Sequence, residues 1–155
     1  MMRRNDRELD FPAILSLLDR CRIVRLAMID GQEPYIVPLN YGYTCTDGQI
    51  TLYCHSAKEG RKLDVMRANP LIGFEMDADY QLQTHEEACH HSNLFSSVIG
   101  TGEFELLEGE AKKQALSVLM RHQTGRDFVF TDAQANSVAV FAVHVKTISG
   151  KAKTK

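Results

Sequence analysis

The chain is 155 residues long with 18 Lys and Arg against 20 Asp and Glu, a formal net charge of −2, and its isoelectric point is about 6.3. That length sets the expectation of one domain over residues 1–155, large enough to bury a core without disulfides or a structural metal. The charge balance excludes general binding to nucleic acid or anionic membranes, which needs a basic face to release counterions, and no apolar run approaches the roughly 20 residues of a membrane span.

In chain order, Met1-Met2-Arg3-Arg4 is followed by no apolar h-region, so the chain reads as soluble, unexported and cytoplasmic. A short helix is predicted over about 10–21, where Ile14, Leu17, Leu18 and Cys21 share a face and Pro12 sits in the first turn. Runs rich in branched residues follow, Ile23 to Ile29, Tyr35 to Tyr43 and Ile50 to His55, separated by Asp30-Gly31 and Asp47-Gly48. Asp-Gly between apolar runs is a hairpin signal, so the three runs form an antiparallel meander. In the third, Ile50, Leu52 and Cys54 alternate with Thr51, Tyr53 and His55, which sends one face to the core and offers the other to something polar or to a ligand. Lys58 to Asn69 reads as a helix stopped by Pro70. Strands are predicted from Leu71 to Tyr80 and from Leu94 to Leu107, then a helix between Ala111 and Gln123 with an apolar stripe of Ala111, Ala115, Leu116, Leu119 and Met120. A strand from Val138 to Ile148, apolar enough to be buried on both sides, precedes a basic tail over 149–155. The whole is mainly β, a six-stranded antiparallel barrel with three peripheral helices. Cys21, Cys45, Cys54 and Cys89 are irregularly spaced with no CxxC pair and read as reduced thiols, Cys21 and Cys54 in the core.

Chemistry concentrates in His55-Ser56-Ala57-Lys58-Glu59-Gly60-Arg61-Lys62, where a strand gives way to a helix. Ser56 and Glu59 fit a capping box. Lys58, Arg61 and Lys62 put three cations in the first two turns, where the helix dipole disfavours each by about 0.3–1 kcal/mol unless an anion is bound. Free N–H groups, a hydroxyl, an Arg fork and a Lys point charge together form a phosphate-binding set. The same residues also read as a solvated helix start whose cations extend into water. Gly100-Thr101-Gly102 lacks the third glycine of a dinucleotide fingerprint, and no P-loop is present.

Pro34-Tyr35-Ile36-Val37-Pro38-Leu39-Asn40-Tyr41, followed by Leu52-Tyr53-Cys54-His55-Ser56-Ala57 and Glu59-Gly60-Arg61-Lys62, resembles the pyridoxamine 5′-phosphate oxidase-related flavoproteins, in particular the branch of the Nim-type nitroimidazole-resistance proteins. Ser96-Ser97-Val98-Ile99-Gly100, the Glu110 to Gln123 helix and Ile148-Ser149-Gly150-Lys151 extend the likeness from about residue 10 to residue 151. The resemblance implies a six-stranded split barrel that forms a homodimer with two FMN molecules between the subunits. It implies that the backbone of Val37, Pro38, Leu39 and Asn40 lines the isoalloxazine ring, and that His55, Ser56 and Ala57 lie by the phosphate and ribityl chain. Lys58, Arg61 and Lys62 then neutralise the phosphate, and Ser97 and Val98 reach the cofactor from the partner subunit. NADH or NADPH would donate electrons for reduction of a small acceptor such as a nitroimidazole, with His55 as proton donor. The alternative on the same barrel is a non-catalytic flavin- or haem-storage protein. Phe95 departs from the branch, which usually has Tyr there, so a hydroxyl is missing.

His85-Glu86-Glu87-Ala88-Cys89-His90-His91 gathers metal-ligand side chains in seven residues. As a helix it would put His85 and Cys89 on one face, a donor pair for zinc, copper or haem iron; the plainer reading is a polar connection between strands, with no metal assigned. His55, His90 and His91 are the candidate haem ligands. His122, on the polar side of its helix, and His144, in a buried strand, read as structural, and Glu103 and Glu105 share an exposed strand face.

Overall fold

Antiparallel pairing between chain neighbours builds most of the architecture. The computed structural model describes residues 5–154, so Met1 to Arg4, read above for a targeting segment, and Lys155, the last residue of the predicted basic tail, lie outside the described residues. Seven strands occur among those residues: β1 (Glu8–Leu9), β2 (Ile23–Asp30), β3 (Glu33–Thr46), β4 (Gln49–Ser56), β5 (Leu71–Gln83), β6 (Ser92–Leu107) and β7 (Ala139–Lys153). Their order is β1-β7-β4-β3-β2-β5-β6, and β6 pairs in turn with β7. That last pairing closes the six long strands into the expected barrel, with the two-residue β1 added on the edge of β7. Both hairpins form, the second on Asp47-Gly48 as predicted and the first one residue later than predicted, on Gly31-Gln32 with Asp30 paired to Glu33. Asp47 and Gly48 both have positive φ, 51° and 78°, which a two-residue hairpin turn that follows the strand twist demands.

Among the described residues four α-helices surround the barrel: α1 (Phe11–Arg20), α2 (Arg61–Ala68), α3 (Gly109–Thr124) and α4 (Asp132–Asn136). Asp10 caps α1 by accepting from Ala13 N–H at 2.9 Å. The helix seals the barrel with Leu17 and Leu18 against a core of Val24, Leu26, Met28, Tyr41, Leu52, Met76 and Phe141. A second cluster of Leu107, Ala115, Leu116, Ala135, Val140 and Ala142 lies under α3 and α4. The start of β7 is therefore buried on both faces, with Phe141 and Val143 in the barrel and Val140 and Ala142 towards α3.

Several expectations change. The tail over 149–155 is strand as far as Lys153, because β6 and β1 both pair with it. Ala115, Leu116 and Leu119 of the predicted α3 stripe are buried and Met120 half-buried, but Ala111 is exposed and Lys112 takes the buried place in the first turn. The short α4 carries a capping box between Thr131 and Gln134; five residues are too few for an apolar period to be visible in the sequence. His144 is exposed rather than buried and lies 2.5 Å from Glu105. His122 is half-buried rather than on a polar face, with Nε2 2.8 Å from the Cys21 carbonyl and its ring against Tyr41 and Tyr43.

Candidate functional site

The barrel is split between β3 and β4. β3 pairs with β2 along its length from Glu33 to Asn40, but with β4 only from Tyr41 to Thr46. His55 and Ser56 continue β4 beyond that point, paired with Val140 and Ala139 of β7 and with no ladder partner on the β3 side. The stretch Glu33–Asn40 thus has one free backbone edge, and Pro34 and Pro38, which have no N–H to donate, suit an edge. Tyr35, Val37 and Leu39 pack inward against the core, while Ile36, Pro38 and Asn40 face out. The Asn40 amide is held at 3.3 Å from both the Arg22 carbonyl and Gln123 Oε1.

At the other side of the split His55 Nδ1 is sealed from solvent with no hydrogen-bond partner among the described residues. A buried ring nitrogen in that state costs free energy unless a ligand meets it. Ser56 is buried and its hydroxyl donates to the Ala57 carbonyl at 2.8 Å.

The predicted capping box does not form. α2 begins at Arg61, three residues later than expected, with Gly60 as N-cap at φ 136° and no side-chain cap. Only glycine reaches that φ easily, and the Gly60 carbonyl receives the N–H of Leu63 at 3.0 Å. Lys58 therefore precedes the helix, and the three cations part company. Arg61 reaches the β2–β3 turn, 2.7 Å from Asp30 and 3.8 Å from Glu33, with its guanidinium 4.3 Å over the Tyr35 ring. The hydrogen bond to Asp30 holds the Arg61 pKa above its ordinary value. Lys58 instead lines a pocket of about 250 Å³ with Arg67, Glu108, Lys112 and Asn136. Lys62, at the first turn of α2, makes no ion pair among the described residues.

Ser97 and Val98 lie on β6, which is two strands from β4 by way of β7, but Ser97 pairs with Lys151 and His55 with Val140, eleven residues apart along β7, on the order of 35 Å at about 3.3 Å per residue. Val98 points into its own core, so only its backbone is offered outward, whereas Ser97 faces out beside Ile99. The outer wall here is unusually apolar. Ile29, Ile36, Leu71 and Ile99 are 52%, 62%, 59% and 59% exposed, and a concavity of about 480 Å³ is lined by Ala27, Ile29, Pro34, Ile36, Leu71 and Gly73, among others. Sequence reasoning missed Asp30, Glu33 and Tyr35 as the anchors of Arg61, and Arg67 and Lys112 as neighbours of Lys58. The first set lies about one hairpin away in sequence, and no local pattern signals it. The segment 85–91 is not α-helical; Ala88–His90 is a single 3-10 turn.

Comparison with known proteins extends this geometry. The family profile described as pyridoxamine 5′-phosphate oxidase matches residues 10–152. A crystal structure from Bacteroides thetaiotaomicron VPI-5482, of a protein with a proposed role in 5-nitroimidazole antibiotic resistance, is 30% identical with a TM-score of 0.81, covering 94% of this chain and 86% of that one. An FAD-binding protein of Mesorhizobium loti is 25% identical with a TM-score of 0.67 over 96% of this chain and 98% of its own. The FAD- and haem-binding protein of Mycobacterium smegmatis shares the fold, with a TM-score of 0.80 at 17% identity over 94% of this chain and 72% of its own. A Rhizobium meliloti (strain 1021) protein of unassigned function is 29% identical over 46% of this chain, which spans about half, 54%, of that relative. A profile that runs from the cap of α1 to the end of β7, on a barrel split as described, places the chain in the pyridoxamine 5′-phosphate oxidase family.

Proposed function

We propose that the chain is a flavoprotein that binds FMN in the β3–β4 split, works as a homodimer, and reduces small acceptors such as nitroimidazoles or other nitroaromatics at the expense of NADH or NADPH. The observation that carries this reading is the free edge of β3 beside a β4 end whose His55 Nδ1 is buried with no partner among the described residues. The donor set fits a flavin: the backbone of Val37 to Asn40 for the ring edge, and His55, Ser56 and Ala57 for the ribityl chain. At the start of α2, Lys62 and an Arg61 that exchanges Asp30 for the ligand would supply charge for the phosphate, whereas Lys58, turned to the pocket of Arg67 and Lys112, would have to swing to join them. When bound, the flavin supplies two-electron chemistry, accepting hydride from a nicotinamide and delivering electrons to the acceptor. His55 is the residue placed to hold or deliver a proton there.

The homodimer is supported by the apolar outer wall and by the distance between the split and Ser97. Within one chain Ser97 lies eleven residues along β7 from the partner of His55, too far for its side chain to enter its own split, but a second copy laid on the wall can supply it. The free thiols Cys21, Cys45, Cys54 and Cys89 suit the cytoplasm, a reducing compartment. The likeness to the 5-nitroimidazole resistance protein, at 30% identity over most of both chains, supports the choice of acceptor.

The visible spectrum of the purified protein tests cofactor and class together. Flavin bands and a rise in melting temperature on adding FMN are expected, since a ligand of the native state stabilises it. Anaerobic NADH or NADPH should then bleach the flavin. A colourless protein indifferent to FMN would sink the proposal, a Soret band would replace flavin by haem, and a flavin bleached by neither donor would make the chain a carrier.

A further inference from the structure

We propose that the loop joining β5 to β6 binds one divalent cation of the zinc class through Glu87, Cys89 and His90. A carboxylate oxygen, Sγ and a ring nitrogen of these residues lie within 4.8 Å of one another, and His90 Nδ1 is 3.1 Å from Glu87 Oε2. The cause is local. Ala88–His90 is a 3-10 turn, and with three residues per turn the side chains at i and i+3 come to the same side. The turn is pinned at both ends. Glu87 N–H donates to His85 Nδ1 at 3.1 Å, and the His90 and His91 N–H groups donate to the Glu87 and Ala88 carbonyls at 3.0 and 3.3 Å. The His85 ring stands edge-on to that of His90 with centroids 4.8 Å apart, which limits the swing of the ligand ring. Because His85 Nδ1 accepts a hydrogen bond, its Nε2 carries the proton; His85 is a clamp and not a ligand.

Zinc bonds of about 2.0–2.3 Å to nitrogen, oxygen and sulfur give tetrahedral edges of about 3.3–3.8 Å. The cluster reaches that size by moving exposed side chains through about 1 Å. Thiolate, imidazole and carboxylate select a borderline-soft ion over Ca²⁺ or Mg²⁺, which take oxygen ligands. Three protein ligands leave a fourth position for water. On binding, the Sγ–H bond breaks, the Sγ–metal bond forms and the proton passes to the buffer; the thiolate and carboxylate charges then balance the ion, and no electron is transferred. The loop is separate from the β3–β4 split, so this site stands or falls independently of the flavin.

The test is a titration of the full chain with Co²⁺, the visible analogue of Zn²⁺. One equivalent should bind with a sulfur-to-cobalt charge-transfer band, release about one proton, and be displaced by Zn²⁺. Cys89→Ser should abolish the band, and Glu87→Gln and His90→Ala should each weaken binding by about tenfold or more. Cys45→Ser, which removes the other exposed thiol, should leave the titration unchanged. All three ligands are exposed, so the variants keep the far-ultraviolet spectrum of the parent. The proposal is overturned if no charge-transfer band appears, if the band survives Cys89→Ser, or if it disappears with Cys45→Ser.

Discussion

At the scale of single residues, environment divides chemically identical groups. Burial pushes the Cys21 thiol up to about 11 and the Cys54 thiol up to about 12, whereas Cys45 and Cys89 are exposed. Iodoacetamide on the native protein at neutral pH should therefore add to Cys45 and Cys89 alone, and to all four cysteines in denaturant, as read by mass spectrometry. Arg61 is tied to Asp30 by an exposed contact, and exposed ion pairs add little to stability. Arg61→Ala should leave the melting temperature of the flavin-free protein nearly unchanged and weaken FMN binding by about ten- to a hundredfold, the value of a charge-assisted phosphate contact. His122 is held below the ordinary imidazole pKa chiefly by burial, so the folded state keeps it neutral while the unfolded chain takes up a proton near pH 6.5. Its contribution to stability is present above that pH and is lost as the pH falls towards the lower folded value. His122→Gln should make the fall in melting temperature between about pH 6.5 and 5 shallower.

At the scale of elements, α3 rides so close on β3 that a Cβ on Gly42 would come within 2.6 Å of Leu119 Cα. Backbone cannot yield there as a side-chain tip would. Gly42→Ala should cost about 1–3 kcal/mol in denaturant melts by lifting the helix off the strand. The strands were legible because branched runs and Asp-Gly turns are local signals, and the ladder of β2, β3 and β4 follows from them directly. The cap of α2 was not, since Ser56 and Glu59 satisfy a spacing rule that Gly60 overrides by taking a backbone conformation closed to other residues. On α3 only the first-turn member of the inward face was misread, Ala111 for Lys112, because Lys112 buries its stem, 3.9 Å from Glu108 at its head, and a charged residue counts as polar in any period. The members of the candidate site on β3, β4 and α2 were readable in order, whereas the partners that part Lys58 from Arg61 depend on long-range packing.

At the scale of the molecule, the row Ile36–Ala27–Gly73–Thr101 crosses β3, β2, β5 and β6 in register and belongs to a largely apolar wall that the other described residues leave exposed. Light scattering on the eluting protein should give twice the mass of 17.5 kDa. Ile36→Glu, which sets a charge in the middle of that wall, should yield a folded monomer with weakened FMN binding; a dimer unaffected by the change would move the interface elsewhere. The closure of the barrel has a consequence for how the protein is made. β7 is the ladder neighbour of β1, β4 and β6 at once, so a nascent chain that has emerged only as far as α4 displays two unpaired edges and an open core. Pairings so distant in sequence form slowly and leave apolar surface uncovered meanwhile. Until β7 emerges the barrel is thus an unclosed sheet, and its two bare edges can pair with those of another nascent chain.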